Sequence, residues 1–200
     1  WRKEQIIEHL WAGALRNPAN DQFHVSVHRI RRALFKECLV FHDSMYQINP
    51  EMVYWLDVQE FDKALTEAEQ ASDGAQRIQA LERAIALYRG DFMYQVDAEW
   101  CLLRREQLGT QFLEAMANLG RAWHQEGDTM RALEFYQKVL DRDPLHEATY
   151  RDMIQAYMAV GNRTAAMQTF QQCAERLEKE FGVSPMPETL ALYRRMVMDG

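Results

Sequence analysis

The chain has 200 residues, 48% apolar and 26% charged, with a net charge of −7; this suffices for one large domain with a smaller piece attached. No apolar run approaches the roughly 20 residues that cross a bilayer, so no membrane role is expected. Three scattered cysteines, Cys38, Cys101 and Cys173, exclude a disulfide framework or zinc cluster and suit a reducing cytoplasm.

No basic-then-apolar leader opens the chain, and its start at Trp1 predicts a segment of a longer protein. Charge is unevenly spread. Residues 1–36 carry seven cations against three anions, and the remainder 16 against 27. A basic end on an acidic body suggests two jobs in one chain.

Glu4 to Trp11 has the pattern of a short amphipathic helix, with Ile6, Ile7, Leu10 and Trp11 apolar. Residues 13–17 read as a loop. Asn20 or Asp21 can cap a second helix that runs to about Phe35. Its apolar stripe is Phe23, Val27, Ile30 and Leu34. At 100° per residue, Asp21, Val25, His28 and Arg32 lie nearly opposite that stripe, with Gln22 and Arg29 to one side. His24 and His28 have the spacing of two metal ligands, but no third donor is near, so no metal site is expected. Leu39-Val40-Phe41 and Tyr46-Gln47-Ile48 flank His42-Asp43-Ser44-Met45 as a β-hairpin. Helix, helix, hairpin is the order of a partial winged helix-turn-helix.

Beyond residue 50 the pattern is helical. Phe61, Leu65 and Ala68 recur at helical spacing, as do Ile78, Leu81, Ala84, Ile85 and Tyr88. Ser72-Asp73-Gly74 is the turn between these helices, and Gly90 ends the second. Between Ala98 and Glu126 only Gly109 and Gly120 interrupt the pattern, which predicts one long helix. A repeat follows. Gly127 and Gly161 are 34 residues apart, and so are Ala132 and Ala166, Ala122 and Ala156, and Ala115 and Thr149. The units are residues 115–148 and 149–182. Small residues recur because paired helices approach closely only where side chains are small. Gly127 and Gly161 stand where a first helix stops and left-handed backbone is favoured. Pro144 marks the end of a second helix. After the loop Gly182-Val183-Ser184-Pro185-Met186-Pro187, Pro187 at a first helical turn opens a last helix that runs to Val197 and covers the end of the stack.

No Gly-x-Gly-x-x-Gly or Walker pattern occurs, and no carboxylate sits beside a nucleophile or oxyanion loop. Neither catalysis nor a cofactor is expected. Met116, Trp123, Phe135, Tyr136, Tyr150, Tyr157 and Phe170 read as core. Tyr94, Trp100, Arg104, Arg105 and Gln111 are candidates to line the concave groove of a repeat stack.

The repeat resembles the tetratricopeptide repeat. Val27-His28-Arg29-Ile30-Arg31-Arg32-Ala33-Leu34 resembles the recognition helix of response-regulator-type winged helices. Several separated motifs resemble, in order, the bacterial transcriptional activator domain of SARP-type regulators. They are Trp55-Leu56-Asp57-Val58-Gln59-Glu60-Phe61, Leu87 through Phe92, Trp100, Asp143-Pro144-Leu145-His146-Glu147, and Leu177 through Thr189. The resemblance implies a mainly α fold, with a partial winged helix over 1–50 and tetratricopeptide-like hairpins over 51–200. It also implies a regulatory segment of an activator, with promoter DNA and RNA polymerase or its sigma factor as partners and a possible homodimer. With the helix in a major groove, Arg29 would read a guanine edge. Arg31, Arg32 and Lys36 would meet phosphates, and Gln22, Ser26 and His28 would supply polar contacts. Asp43 at the hairpin tip points to the other reading, a protein-interaction module that never meets DNA, because phosphate repels it.

Overall fold

The computed structural model describes residues 1–11 and 16–198. The chain divides into two compact units, Trp1–Trp55 and Leu56–Gly200.

In the first unit, α1 (Lys3–Leu10) and α2 (Arg16–Ala33) precede a 3-10 turn (Lys36–Cys38) and the antiparallel pair β1 (Leu39–His42) and β2 (Met45–Ile48). The expected loop over 13–17 lies outside the described residues at 13–15, and Arg16 and Asn17 belong to α2. Asn20 and Asp21 are therefore inside the helix, not at its cap. Pro18 does not stop it, because the first turn of a helix needs no intrahelical N–H partner. Ala19 and Phe23, four apart on one face, are both buried and anchor that first part of α2. Farther along the stripe burial fails: Val27 is half-buried, and Ile30 and Leu34 are exposed.

The hairpin turn is tighter than its sequence suggests. His42 pairs with Met45, so the turn is Asp43-Ser44 alone, with φ of +49° and +60°. Left-handed backbone at both central residues matches the twist of paired strands, and aspartate tolerates it. The Trp1 backbone donates to Tyr46 O at 3.0 Å and accepts from Tyr46 N at 2.8 Å, adding a pairing on the β2 edge.

The second unit is a row of helical hairpins. They are α3 (Asp57–Gln70) with α4 (Gly74–Leu87), α5 (Glu99–Gln125) with α6 (Thr129–Arg142), and α7 (Glu147–Ala159) with α8 (Arg163–Phe181), followed by α9 (Pro187–Met198). The 34-residue period appears in the hydrogen bonds. Asp128 N donates to Trp123 O, and its counterpart Asn162 N donates to Tyr157 O. The intervening Gly127 and Gly161 have φ of +87° and +73°, the glycine-ended helix stop. Asp128 and Asn162 then cap α6 and α8 through the amides of Arg131 and Ala165. The paired small residues Ala122 and Ala156, Ala132 and Ala166, and Ala115 and Thr149 are all buried.

Four apolar clusters run along the row. Phe61, Leu108, Phe112 and Val139 fill one, and Ile78, Leu81 and Leu119 a second. Tyr136, Tyr150 and Leu177 form a third; Ile154, Phe170 and Met196 form the last, under α9. Trp123, Phe135 and Tyr157 are only half-buried. Arg131 lies over the Trp123 ring and Lys138 over Phe135, at 4.4 and 4.5 Å, so cations shield rings that the sequence assigns to the core.

Candidate nucleic-acid interface and protein-docking groove

The basic face belongs to α2 and the turn after it. Gln22, His28, Arg29 and Arg32 are exposed on the outward side of α2, and Lys36 is exposed in the 3-10 turn. Asp21 and Val25 share that side and are exposed too. Two of the sequence candidates stand apart. Ser26 is half-buried and lines an apolar hollow of about 320 Å³ with Phe23, Val27, Ile30 and Tyr46. Arg31 is half-buried, and its Nη2 donates to Leu39 O at 2.8 Å. A guanidinium committed to a strand carbonyl braces α2 against β1 and is not displayed with Arg29 and Arg32. At the hairpin tip the Asp43 side chain is 77% exposed, 3.0 Å from His42 Nδ1. Phe41 and Met45 are exposed beside it.

In the second unit, α3, α4 and α5 enclose a groove of about 610 Å³. Of the sequence candidates, Arg104 and Gln111 line it. Arg105 serves another purpose: its Nε and Nη2 donate to Phe92 O, Met93 O and Val96 O, holding the segment between α4 and α5. Tyr94 lines a different hollow, with Phe61, Tyr88 and Leu108.

The groove wall on α5 contains Arg104, Gln111, Asn118 and Gln125, each seven residues from the last. Of these, Asn118 and Gln125 were not singled out in the sequence, although the seven-residue spacing is visible there. The charges of the groove balance: Arg77, Arg104 and Arg121 against Asp62, Glu69 and Glu114. Arg104 donates to Asp62 on α3 at 2.6 Å, and Arg121 to Asp152 on α7 at 2.5 Å and to Asn118 Oδ1 at 2.6 Å. Gln111 Oε1 is buried with no hydrogen-bond donor. At the next junction Glu147 Oε1, on α7, accepts from Met186 N at 2.7 Å and from Thr189 Oγ1 at 2.5 Å, fastening the start of α9. Polar ties thus link α3 to α5, α5 to α7 and α7 to α9.

One thiol and two phenols in this unit are held neutral by burial. Burial, reinforced by the Glu147 charge, pushes the Cys173 thiol up to about 12. Burial raises the Tyr136 and Tyr150 phenols as well. Neither arrangement resembles an activated nucleophile, which needs a lowered pKa and an exposed site.

The model of the bacterial transcriptional activator domain matches residues 56–197. No curated protein sequence matches the chain. Among solved structures, Mycobacterium tuberculosis EmbR, in complex with a low-affinity phosphopeptide, superposes with a TM-score of 0.79 at 17% identity. The match covers 100% of this chain and 55% of that one, so the chain spans little more than half the length of EmbR. The TPR2B domain of yeast Sti1, in a complex with pHsp70, aligns with a TM-score of 0.53 at 16% identity, covering 71% of this chain and 99% of that one. The helical hairpins are tetratricopeptide-like, and the chain belongs to the bacterial transcriptional activator domain family of SARP-type regulators, with a winged-helix-like part ahead of the domain.

Proposed function

We propose that this regulatory segment contacts promoter DNA through the exposed face of α2 and docks RNA polymerase or its sigma factor through the helical hairpins. The observation that carries the DNA half is the display to solvent of Gln22, His28, Arg29 and Arg32 on α2 and of Lys36 on the 3-10 turn that leads into the hairpin. Arg29 reads a base edge in the major groove, where a guanidinium matches the two acceptors of guanine. Arg32 and Lys36 neutralise phosphates and set the register. Arg31 and Ser26 contribute by position: Arg31 braces the hairpin, and Ser26 lies toward the apolar hollow. Joining a DNA contact and a polymerase contact in one chain raises the effective concentration of the second partner at the promoter.

The test is fluorescence anisotropy of the full-length protein with duplex DNA across a salt series. Affinity is expected to fall steeply as salt rises, and Arg32→Ala to lower the log–log slope by about 0.9, one released counterion. Arg29→Ala is expected to cost about 1–3 kcal/mol on the cognate promoter and less on random duplex. Unchanged affinity in both variants would remove this face from the DNA.

The exposed carboxylate of Asp43 beside Phe41 and Met45 favours a second reading, a protein-interaction module with no DNA role. Under it, the full-length protein leaves duplex DNA unbound even at low salt.

A further inference from the structure

The hollow beside Tyr94 has the make-up of a docking surface. Its volume is about 550 Å³, and Phe61, Leu87, Phe92 and Leu108 give it apolar walls. Met93 and Tyr94 line it too, yet are 52% and 70% exposed. Val96 follows in the same segment and is also exposed. Large apolar side chains left together in water mark a binding surface. The backbone that carries them is held in an uncommon shape. Met93 has a φ of +43°, a region that non-glycine residues rarely enter. Such backbone persists only where its surroundings fix it. Arg105 does so, since its Nε and Nη2 donate to Phe92 O, Met93 O and Val96 O, and Val96 N donates to Met93 O at 2.8 Å. This clamp grips main-chain atoms only, so the side chains of Met93 and Tyr94 take no part in it. A segment fixed in advance loses little freedom when a partner binds. The surroundings are acidic. Asp57 and Asp91 line the hollow with Arg89, and Asp97 and Glu99 come next in the chain; all five are exposed. Four carboxylates against one guanidinium repel nucleic acid and a second copy of the same surface, and favour a partner with cations around an apolar centre.

We propose that this hollow docks a protein partner through an apolar side chain flanked by lysines or arginines, with Met93 and Tyr94 as the contacts and the carboxylates steering its approach. This deepens, and rests on, the protein-docking half of the function above.

The test uses peptides selected from a displayed library on the intact chain, with association and dissociation followed by surface plasmon resonance. Enriched sequences are expected to place lysine or arginine on both sides of a large apolar residue. Met93→Gly removes one contact and suits the left-handed backbone, so its melting curve is expected to show a retained fold. Met93→Gly with Tyr94→Ala is expected to weaken binding on the order of tenfold or more. Asp91→Asn with Asp97→Asn is expected to slow association several-fold and to flatten its salt dependence, with dissociation little changed. Failure to enrich any peptide, enrichment of uncharged or acidic ones, or binding untouched by either pair of substitutions would each overturn the proposal. So would a dimer of the intact chain that Met93→Gly with Tyr94→Ala dissolves, because the surface would then belong to a second copy. RNA polymerase holoenzyme separates this idea from its parent. Holoenzyme binding that survives Met93→Gly with Tyr94→Ala overturns the hollow as the docking site and leaves docking itself intact. Basic peptides lost on that substitution, with no holoenzyme binding by the unaltered chain, support the hollow and remove the polymerase.

Discussion

Gly109 and Gly120 interrupt the same helix, and their surroundings give substitutions opposite signs. A Cβ on Gly120 would come within 2.5 Å of the Tyr136 ring, which is buried and has nowhere to go. At Gly109 the nearest atom is Tyr88 Oη at 3.7 Å, an ordinary contact. Gly109→Ala is therefore expected to stabilise by up to about 1 kcal/mol through helix propensity. Gly120→Ala is expected to destabilise, since overpacking costs about 1–3 kcal/mol and outweighs the same gain. Chemical denaturation of the two variants checks both signs. Cys173 gives a pH signature. Its thiol stays protonated in the folded chain up to about 12, against an ordinary value of 9.0. Above 9 the unfolded chain releases that proton and the folded chain does not. The stability is thus complete below pH 9 and is lost as pH rises toward 12. The raised Tyr150 phenol acts in the same direction from its ordinary value of 10.0 upward. Denaturant midpoints measured between pH 8 and 10 are expected to fall less steeply in Cys173→Ala, whatever the cavity itself costs.

Among the elements, those governed by local chemistry were legible. The helix stops at Gly127 and Gly161 use partners within a few residues, so the 34-residue period in sequence becomes a 34-residue period in hydrogen bonds. The hairpin was legible as a hairpin but not in its turn, because His42 and Met45 pair or splay according to the backbone at Asp43 and Ser44. The start of α2 was missed, because capping residues at Asn20 and Asp21 were outweighed by burial of Ala19 and Phe23 on one face. The last helix shows the same division. Pro187 announces its start, but its attachment depends on a buried carboxylate from another helix. Glu147→Ala would leave the Met186 N–H and Thr189 hydroxyl without their acceptor. A cost of about 2–4 kcal/mol is expected, with faster amide hydrogen exchange across α9 and unchanged exchange in α3 and α4. Glu147→Gln keeps an acceptor oxygen and should lose less. Equal exchange in α9 and α4 of the Ala variant would show that the tie does not hold the cap in place.

At the scale of the whole molecule, the chain carries two units with different electrostatics, a basic helical face in the first and a charge-balanced groove in the second. The sequence alone determined the helical class, the repeat, the glycine stops of its hairpins, the hairpin after α2 and the basic character of that helix. All of these depend on residue order over one or two turns, where periodicity and capping act. Tertiary structure decided which of the basic residues remain on display. Arg31 and Arg32 are neighbours in sequence, yet one is spent on Leu39 O and the other faces solvent. It likewise decided that Arg104 and Arg121 tie α5 to α3 and α7, that Arg105 holds a loop instead, and that the Gln111 carbonyl lies buried without a donor. These outcomes depend on groups far apart in the chain meeting at close range, and the energy of a hydrogen bond is set by that meeting, which residue order alone does not encode.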